Sequence, residues 1–291
     1  MNSSPIVSDL EAQGVAVSPV RHRLKPFVAA LLAVASAMTI AGCKTTNGDV
    51  TGSIGGPAAE LPVSPDALQR FSDEWGKRYE ADPLNGAAAM NYGRALRGQG
   101  RTAQAVAVLQ GAVLKHPNDL ELIGAYGKAL ADSGRLKEAA DVLARAHTPE
   151  RPNWSILSAQ GAVADQLGDN AAAQRYYEAA LKIVPGDPLV MSNLGLSYAL
   201  SKQLPRAEET LREAAAHPRA DRRVRQNFAL VLALEGKFAE AEEVSRRDLS
   251  PSEAASNIAS IRSMIAQSNT WREILKPGGA KGGKQAANTP G

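Results

Sequence analysis

The sequence predicts an all-α solenoid of about five to six helix-turn-helix units, closed at each end by a cap helix. Two sets of small residues recur at a step of 34 positions. The glycines of the first set are Gly93, Gly127, Gly161 and Gly195, and the alanines of the second are Ala105, Ala139, Ala173, Ala207 and Ala241. A fixed period of this length is typical of arrays whose units bury their apolar faces only against neighbours. Such arrays offer an elongated binding surface and seldom a catalytic pocket.

Each small residue has a predicted role. A glycine inside a helix costs about 1 kcal/mol relative to alanine, so four in register indicate that another helix passes too close for a Cβ atom. A further glycine set follows the first by seven residues and supplies the left-handed residue that ends the first helix of a unit. Its members are Gly100, Gly134, Gly168 and Gly236. Lys202 interrupts this set, and prolines such as Pro117 and Pro185 end the second helix of a unit.

The pattern resembles the 34-residue tetratricopeptide repeat, which places a Leu-Gly and a Tyr-like position in one helix and alanines in the next, followed by proline. Tyr92-Gly93 and Leu194-Gly195 are examples of the first feature. Five units fit, with bounds at residues 86–119, 120–153, 154–187, 188–221 and 222–255. The resemblance implies a right-handed tetratricopeptide-repeat α-solenoid. A generic Ala-rich helical bundle would explain the amphipathic helices but not the fixed step.

An array of this kind needs capped ends, because a terminal unit would otherwise expose its apolar face. Residues 63–85 are predicted to form an N-terminal cap or degenerate repeat. Its apolar stripe consists of Leu68, Phe71, Trp75 and Tyr79. Residues 251–275 are predicted to form a C-terminal cap helix that overlaps the last unit, with a capping box at Ser250 and Glu253 and a short apolar ending from Trp271. Residues 276–291 are predicted to be a disordered, Gly-rich tail.

Residues 1–42 are predicted to be a lipoprotein signal peptide. Arg21, Arg23 and Lys25 precede an apolar run of about a dozen residues, which is too short to span a bilayer. Small residues then precede Cys43, the only cysteine of the chain. The arrangement resembles the bacterial lipobox, and this resemblance implies that Cys43 becomes the acylated first residue of the mature protein. The alternative is an ordinary free cysteine at the end of an apolar helix.

The residue after the cysteine bears on the cellular location. Lys44 stands where an Asp would be the familiar signal for retention in the inner membrane. The resemblance therefore implies a lipid-anchored protein of the cell outer membrane that faces the periplasm. Residues 43–62 then comprise the lipidated cysteine and a flexible tether rich in Thr, Gly and Pro, which reaches on average ~25 Å.

Several classes of function are not supported by the sequence. The net charge is +3, and no basic stripe with interleaved aromatic residues suggests nucleic-acid binding. The sequence contains no Ser/His/Asp set, phosphate-binding glycine loop or metal-spaced cluster, so we expect no enzyme, no metal and no cofactor apart from the covalent lipid on Cys43. The histidines His116, His147 and His217 near the ends of second helices are interpreted as partners of free helix carbonyls.

The predicted site is a concave groove lined by the first helix of each unit, which binds protein partners. Residues two positions before and one after the mid-helix glycine are expected to point inward. The candidates are Asn91, Arg94, Lys128, Asn193, Leu196, Asn227 and Leu230. An Asn side chain can hold the backbone amide of an extended peptide, although Asn is also common there in the repeat itself. Basic residues at the start and leucines at the end predict a partner segment with acidic and apolar parts.

The whole chain resembles the TadD family. The resemblance rests on the lipobox, the repeats, an Asn-Ile-Ala-x-Ile-Arg-Ser-Met helix at residues 257–264 and a Trp-x-x-Ile-Leu ending. Members are outer-membrane lipoproteins of the tight-adherence, or Flp pilus, secretion machinery. The resemblance implies a pilotin-like or assembly role, with the secretin and other pilus-assembly components as partners. The alternative is an adaptor for outer-membrane protein insertion or for peptidoglycan enzymes; without the signal peptide, a cytosolic co-chaperone would be a further alternative.

Overall fold

The computed structural model describes residues 61–62 and 64–274, and this part of the chain forms twelve α-helices. Their bounds are α1 (Pro65–Ala81), α2 (Gly86–Gly98), α3 (Thr102–Lys115), α4 (Leu120–Asp132), α5 (Leu136–Ala144), α6 (Trp154–Leu167), α7 (Asn170–Ile183), α8 (Pro188–Leu200), α9 (Leu204–Ala216), α10 (Arg222–Leu234), α11 (Phe238–Ser245) and α12 (Pro251–Ile274). Within these residues the β-structure is limited to an isolated bridge between Thr148 and Arg151. The signal peptide, Cys43, residues 44–60 and the C-terminal tail lie outside the described residues.

Ten of these helices form five pairs. The first helices are α2, α4, α6, α8 and α10, and each packs against the helix that follows it. The first helices begin 34 residues apart, at Gly86, Leu120, Trp154, Pro188 and Arg222. Helix α1 precedes the first pair and α12 follows the last. The predicted all-α repeat solenoid is confirmed.

Each first helix begins at a side-chain cap that the sequence analysis did not single out. The N-cap residues are Asn85, Asp119, Asn153, Asp187 and Asp221, again at a step of 34, and each accepts a hydrogen bond from a backbone N–H of the first turn. An Asn or Asp cap typically contributes about 1 kcal/mol to helix stability. The caps therefore define the start of every unit locally, before any packing takes place.

The turn between the two helices of a pair contains a residue in the left-handed conformation. The four predicted glycines adopt φ between 72° and 88°, and Lys202 adopts φ 65° at the equivalent position of the fourth pair. The prediction for the glycines is confirmed. Lys202 shows that the turn is imposed by the packing of the unit, because a lysine enters a conformation that favours glycine.

The mid-helix glycines lie against the second helix of their own pair, as predicted. A Cβ atom added to Gly93 would lie 2.6 Å from Cγ of Leu109, and one added to Gly195 would lie 2.6 Å from Cγ of Leu211. Real Cβ atoms do not approach other atoms so closely. Glycine at this position therefore permits the close packing that holds each pair together.

The array curves towards its first helices. Each first helix contacts the first helix of the next pair, whereas among the described residues the second helices of successive pairs make far fewer contacts with one another. The first-helix side is therefore the shorter, concave side. The buried core consists of two apolar clusters that meet in α6, where Ile156 belongs to the N-terminal cluster and Leu157 to the C-terminal one.

The C-terminal helix α12 runs from Pro251 to Ile274 and includes Trp271. Its buried side chains are Ala254, Ile258 and Ile261, which close the end of the array. None of the helices in the described ranges combines the length and apolar character needed to cross a membrane.

Candidate protein-binding groove

The structure places all seven predicted groove residues on first helices, but their exposure differs. Asn91, Arg94, Lys128 and Leu230 are buried, with at most 4% of their surface exposed. The other three, Asn193, Leu196 and Asn227, are half-buried. Position in the repeat therefore correctly selects the helix but does not determine which side chains a partner can reach.

Two of the asparagines connect neighbouring units. The Nδ2 atom of Asn193 donates a hydrogen bond to Oγ of Ser158 at 3.3 Å, and Nδ2 of Asn227 donates one to Oγ of Ser192 at 2.9 Å. Each bond spans 35 residues and joins one first helix to the preceding first helix. The side-chain NH₂ groups of Asn193 and Asn227 therefore stabilise the packing between neighbouring first helices on the concave face.

Asn91 lacks such a serine and differs in a second way. Its Nδ2 atom donates to the carbonyl oxygen of Ala87 in the same helix at 3.0 Å. Its Oδ1 atom is buried and has no hydrogen-bond partner in the described part of the chain. An unsatisfied buried acceptor costs about 1–3 kcal/mol, so Asn91 Oδ1 carries a local cost to the stability of the first unit.

The basic end of the groove is bonded across unit boundaries. Nζ of Lys128 donates to Oγ of Ser155 at 2.6 Å, from the second unit to the third. Nε of Arg97 donates to Oδ2 of Asp132 at 2.6 Å, from the first unit to the second. Together with Arg94, these residues place three basic side chains on the first helices of the first two units.

The apolar end of the groove is continuous with the core. Leu230 belongs to the C-terminal apolar cluster, and Leu196 and Leu234 pack against its edge while remaining half-buried. Leu230 is therefore a core residue. Leu196 is the leucine that a partner can contact without disturbing the packing of the core.

A buried polar network connects the third and fourth units and was missed by the sequence analysis. Oδ1 of Asp165 accepts hydrogen bonds from Nδ2 of Asn170 and Oγ of Ser197, both at 2.7 Å, and Oδ2 accepts one from the Tyr177 hydroxyl at 3.2 Å. Burial raises the pKa of the Asp165 carboxyl, and the three hydrogen bonds oppose that rise. Burial, followed by the charge of Asp165, raises the pKa of Tyr177 well above its ordinary value.

A signal for this network does exist in the sequence. Tyr177 occupies the position of Leu109, Leu143 and Leu211, and it introduces a hydroxyl where the first, second and fourth units have leucine. Asp165 replaces the alanine found at Ala131 and Ala199. The same unit thus has a polar residue at two positions that are apolar in other units. This combination indicates that the two side chains form a hydrogen bond, because a buried hydroxyl needs a partner.

The three histidines of the array bind groups other than the carbonyls of their own helix. The His116 ring nitrogen Nε2 lies 2.7 Å from the carbonyl oxygen of Leu84, and Nε2 of His147 lies 3.0 Å from Oε1 of Gln160. Nδ1 of His217 accepts a hydrogen bond from the backbone N–H of Arg219. Across the described residues, no group of three or more His, Cys, Asp or Glu side chains could hold a metal ion.

The helix pairs, their concave face and the groove define a helical-repeat scaffold. Two family models described as the tetratricopeptide repeat match the sequence, one at residues 96–160 and 166–231 and the other at residues 66–119. Together they cover more than half of the chain, which therefore belongs to the tetratricopeptide-repeat family. This fold is generally a non-catalytic scaffold for protein interactions, and neither match indicates an enzyme family.

Solved structures share this architecture. A tetratricopeptide repeat protein from Parabacteroides merdae aligns with a TM-score of 0.54 and 17% identity over 72% of this chain and 82% of its own. A monomeric IFIT1 mutant with Gppp-AAAA aligns with a TM-score of 0.56 and 16% identity over 67% of this chain and 50% of its own. The Cut9-Hcn1 hetero-tetramer of the APC/C aligns with a TM-score of 0.54 and 18% identity over 66% of this chain and 40% of its own. At these identities the likeness concerns the fold alone. No curated protein matches the sequence.

Proposed function

We propose that this protein is a lipid-anchored scaffold of the outer membrane that acts in the biogenesis of the Flp, or tight-adherence, pilus as a pilotin-like or assembly factor for the secretin. The observation that carries the proposal is the tetratricopeptide-repeat array with its uninterrupted concave face, since arrays of this kind act by binding other proteins. The lipobox-like sequence before Cys43 and the TadD-like ending support the proposed location and the proposed machinery.

The groove supports a particular kind of client. The first helices of its first two units carry basic side chains, and its last two units offer the half-buried Leu196 and Leu234. An extended segment with acidic residues at one end and apolar residues at the other complements both parts. Its carboxylates would lie towards the basic end of the groove, and its apolar side chains would contact Leu196 and Leu234.

The proposal is tested by gentle solubilisation of the cell envelope, capture of the protein through a C-terminal tag, and mass spectrometry of the proteins that accompany it. Recovery of a secretin and pilus-assembly components supports the proposal. Recovery of outer-membrane insertion subunits or peptidoglycan enzymes instead would favour the alternative adaptor role, which shares the anchor and the groove.

A groove variant tests whether the client binds in the groove or adheres to the array at other surfaces. Leu196→Glu places a charge on the half-buried edge of the groove and is expected to abolish recovery of the client. The matched control is Leu114→Glu on the second helix α3, where the side chain is 74% exposed. Leu230→Glu is unsuitable because Leu230 is 4% exposed and its replacement would unfold the last units. Unchanged recovery with Leu196→Glu would remove the groove from the proposal.

A further inference from the structure

Helix α1 occupies the place of a second helix in a unit that has no first helix among the described residues. It ends at Ala81, 34 residues before the end of α3 at Lys115. In this register Phe71 corresponds to Ala105 and Trp75 corresponds to Leu109. In the complete units the first helix covers these positions, and both Ala105 and Leu109 are fully buried.

The corresponding face of α1 is aromatic and half-buried. The rings of Phe71 and Trp75 lie 5.9 Å apart at an angle of 49°, and the Arg78 guanidinium lies 4.4 Å from the centre of the Trp75 ring. The adjoining face packs on the array: Leu68, Ser72 and Gly76 are buried against the first complete unit. Phe71 and Trp75 therefore lie at the edge of this contact and keep part of their rings exposed.

A helix of the usual kind does not fit on this aromatic face. The position of Phe71 is alanine in all five complete units, at Ala105, Ala139, Ala173, Ala207 and Ala241, and each of these alanines is fully buried. A phenylalanine side chain would fill the space in which a first helix normally packs. The 34-residue register therefore argues against a partner helix that packs on this face as a first helix does in the complete units.

We propose that the aromatic face of α1 docks on the headgroup region of the membrane that holds Cys43. This inference rests on the proposed lipid anchor. Seventeen residues separate Cys43 from Leu61, where the described chain begins, and the tether predicted from the sequence would reach only about 20–25 Å on average. The N-terminal end is thus the part of the array that the anchor keeps nearest to the lipid surface.

The chemistry of the face suits the membrane interface. Trp and Phe rings bury apolar surface at the headgroup level, while a long Arg side chain keeps its charge in water. Helix α1 carries four acidic and three basic side chains, so attraction to anionic lipid does not drive the contact. The docking is therefore expected to be insensitive to salt, unlike binding through a basic patch.

The test uses the acylated full-length protein in vesicles of phosphatidylethanolamine and phosphatidylglycerol that contain brominated acyl chains, which quench nearby tryptophan. The variant Trp154→Phe/Trp271→Phe keeps Trp75 as its only tryptophan, and Trp75→Phe/Trp271→Phe keeps Trp154 in the third unit. We expect about a twofold loss of Trp75 emission, equal at low and high salt, because an interfacial indole lies close to the brominated chains. Trp154 emission should be unchanged.

The outcomes separate the docking from the anchor. The mass of the N-terminal peptide reports whether Cys43 is acylated. Unquenched Trp75 in an acylated, vesicle-bound protein overturns the docking and leaves the anchor standing. An unmodified Cys43 in protein that does not sediment with vesicles overturns both. Unquenched Trp75 in protein of doubled molar mass assigns the face to a second copy of the chain and also overturns the docking.

Discussion

The hydroxyl of Tyr177 donates a hydrogen bond to Oδ2 of Asp165 at 3.2 Å, so that the residue packed against the mid-helix Gly161 is also tied to a buried carboxylate. In the other complete units whose mid-helix residue is glycine, the residue in the place of Tyr177 is a leucine, whose side chain cannot form a hydrogen bond. The third unit has therefore exchanged an apolar contact for a polar network, and its stability depends on every donor retaining an acceptor.

Replacement of Asp165 with alanine is expected to lower the free energy of unfolding by about 2–3 kcal/mol, because the buried hydroxyls of Tyr177 and Ser197 lose their acceptor. Urea denaturation followed by circular dichroism measures the change. Asp165→Asn retains an acceptor and should cost less than half as much. Equal losses in the two variants would show that the hydrogen bonds of this network contribute little.

The raised pKa of Asp165 predicts an unusual pH dependence. Its folded pKa lies above its unfolded value, so the folded state binds the proton more tightly than the unfolded state. The contribution of this group to stability is complete below the unfolded pKa of about 3.9 and is lost as the pH rises through the folded pKa.

The stability difference between the unaltered protein and Asp165→Asn isolates this group from all others. We expect the unaltered protein to gain stability relative to Asp165→Asn as the pH falls from 7 towards 4. Denaturation curves of both proteins at each pH provide the comparison. A difference that stays constant, or that moves the opposite way, would contradict the assignment.

Glu208 behaves in the opposite sense. Hydrogen bonds from Lys237 and then Arg212 lower the pKa of Glu208 to about 2. Arg212 lies in the same helix as Glu208, whereas Lys237 lies in the turn before α11, so the ion pair with Lys237 connects α9 to the next unit. The stabilising contribution of Glu208 is present above the ordinary value of 4.5 and is lost as the pH falls through about 2.

At pH 7, Glu208→Gln is expected to cost about 1–2 kcal/mol, less than the pKa shift alone would imply, since solvent screens part of the interaction. The neighbouring Glu209→Gln, at an exposed position, should cost close to nothing. Thermal denaturation of both variants at pH 7 and pH 3 tests this prediction. Similar losses for the two glutamates would exclude a specific role for the Glu208 cluster.

Lys202→Gly is expected to stabilise the protein by about 0.5–1 kcal/mol, because Lys202 holds a left-handed backbone conformation that glycine adopts without a steric cost. Gly134→Ala, at the equivalent turn of the second unit, should destabilise by a similar amount for the same reason. The midpoint of urea unfolding measures both changes. A destabilised Lys202→Gly variant would mean that the lysine side chain contributes more than its backbone conformation costs.

Particular residues show what could be inferred before the structure was seen. The glycines at 93, 127, 161 and 195 predicted the tight packing of each pair, and those at 100, 134, 168 and 236 predicted its turn. These features follow from local backbone chemistry repeated at a constant step. The N-cap residues that recur at a step of 34 from Asn85 could have been identified from the sequence in the same way, but they were not predicted.

The groove was harder to infer because its contacts join residues about one repeat apart. Asn193 and Asn227 were predicted to face a partner, but each also binds a serine 35 residues earlier. Asn91, at the same repeat position, donates to Ala87 in its own helix and has a buried acceptor without a partner in the described part of the chain. One position in the repeat thus has different environments in different units.

The sequence by itself determined the period, the helix pairs, the glycine turns and the family, because each of these depends on residues within one unit. Only the tertiary structure decided that Lys128 and Arg94 are buried, that Leu230 belongs to the core while Leu196 lies at its edge, and that Asp165 receives hydrogen bonds from two units. Burial and polar pairing depend on how successive units stack, and a 34-residue pattern specifies each unit more directly than the angle between units.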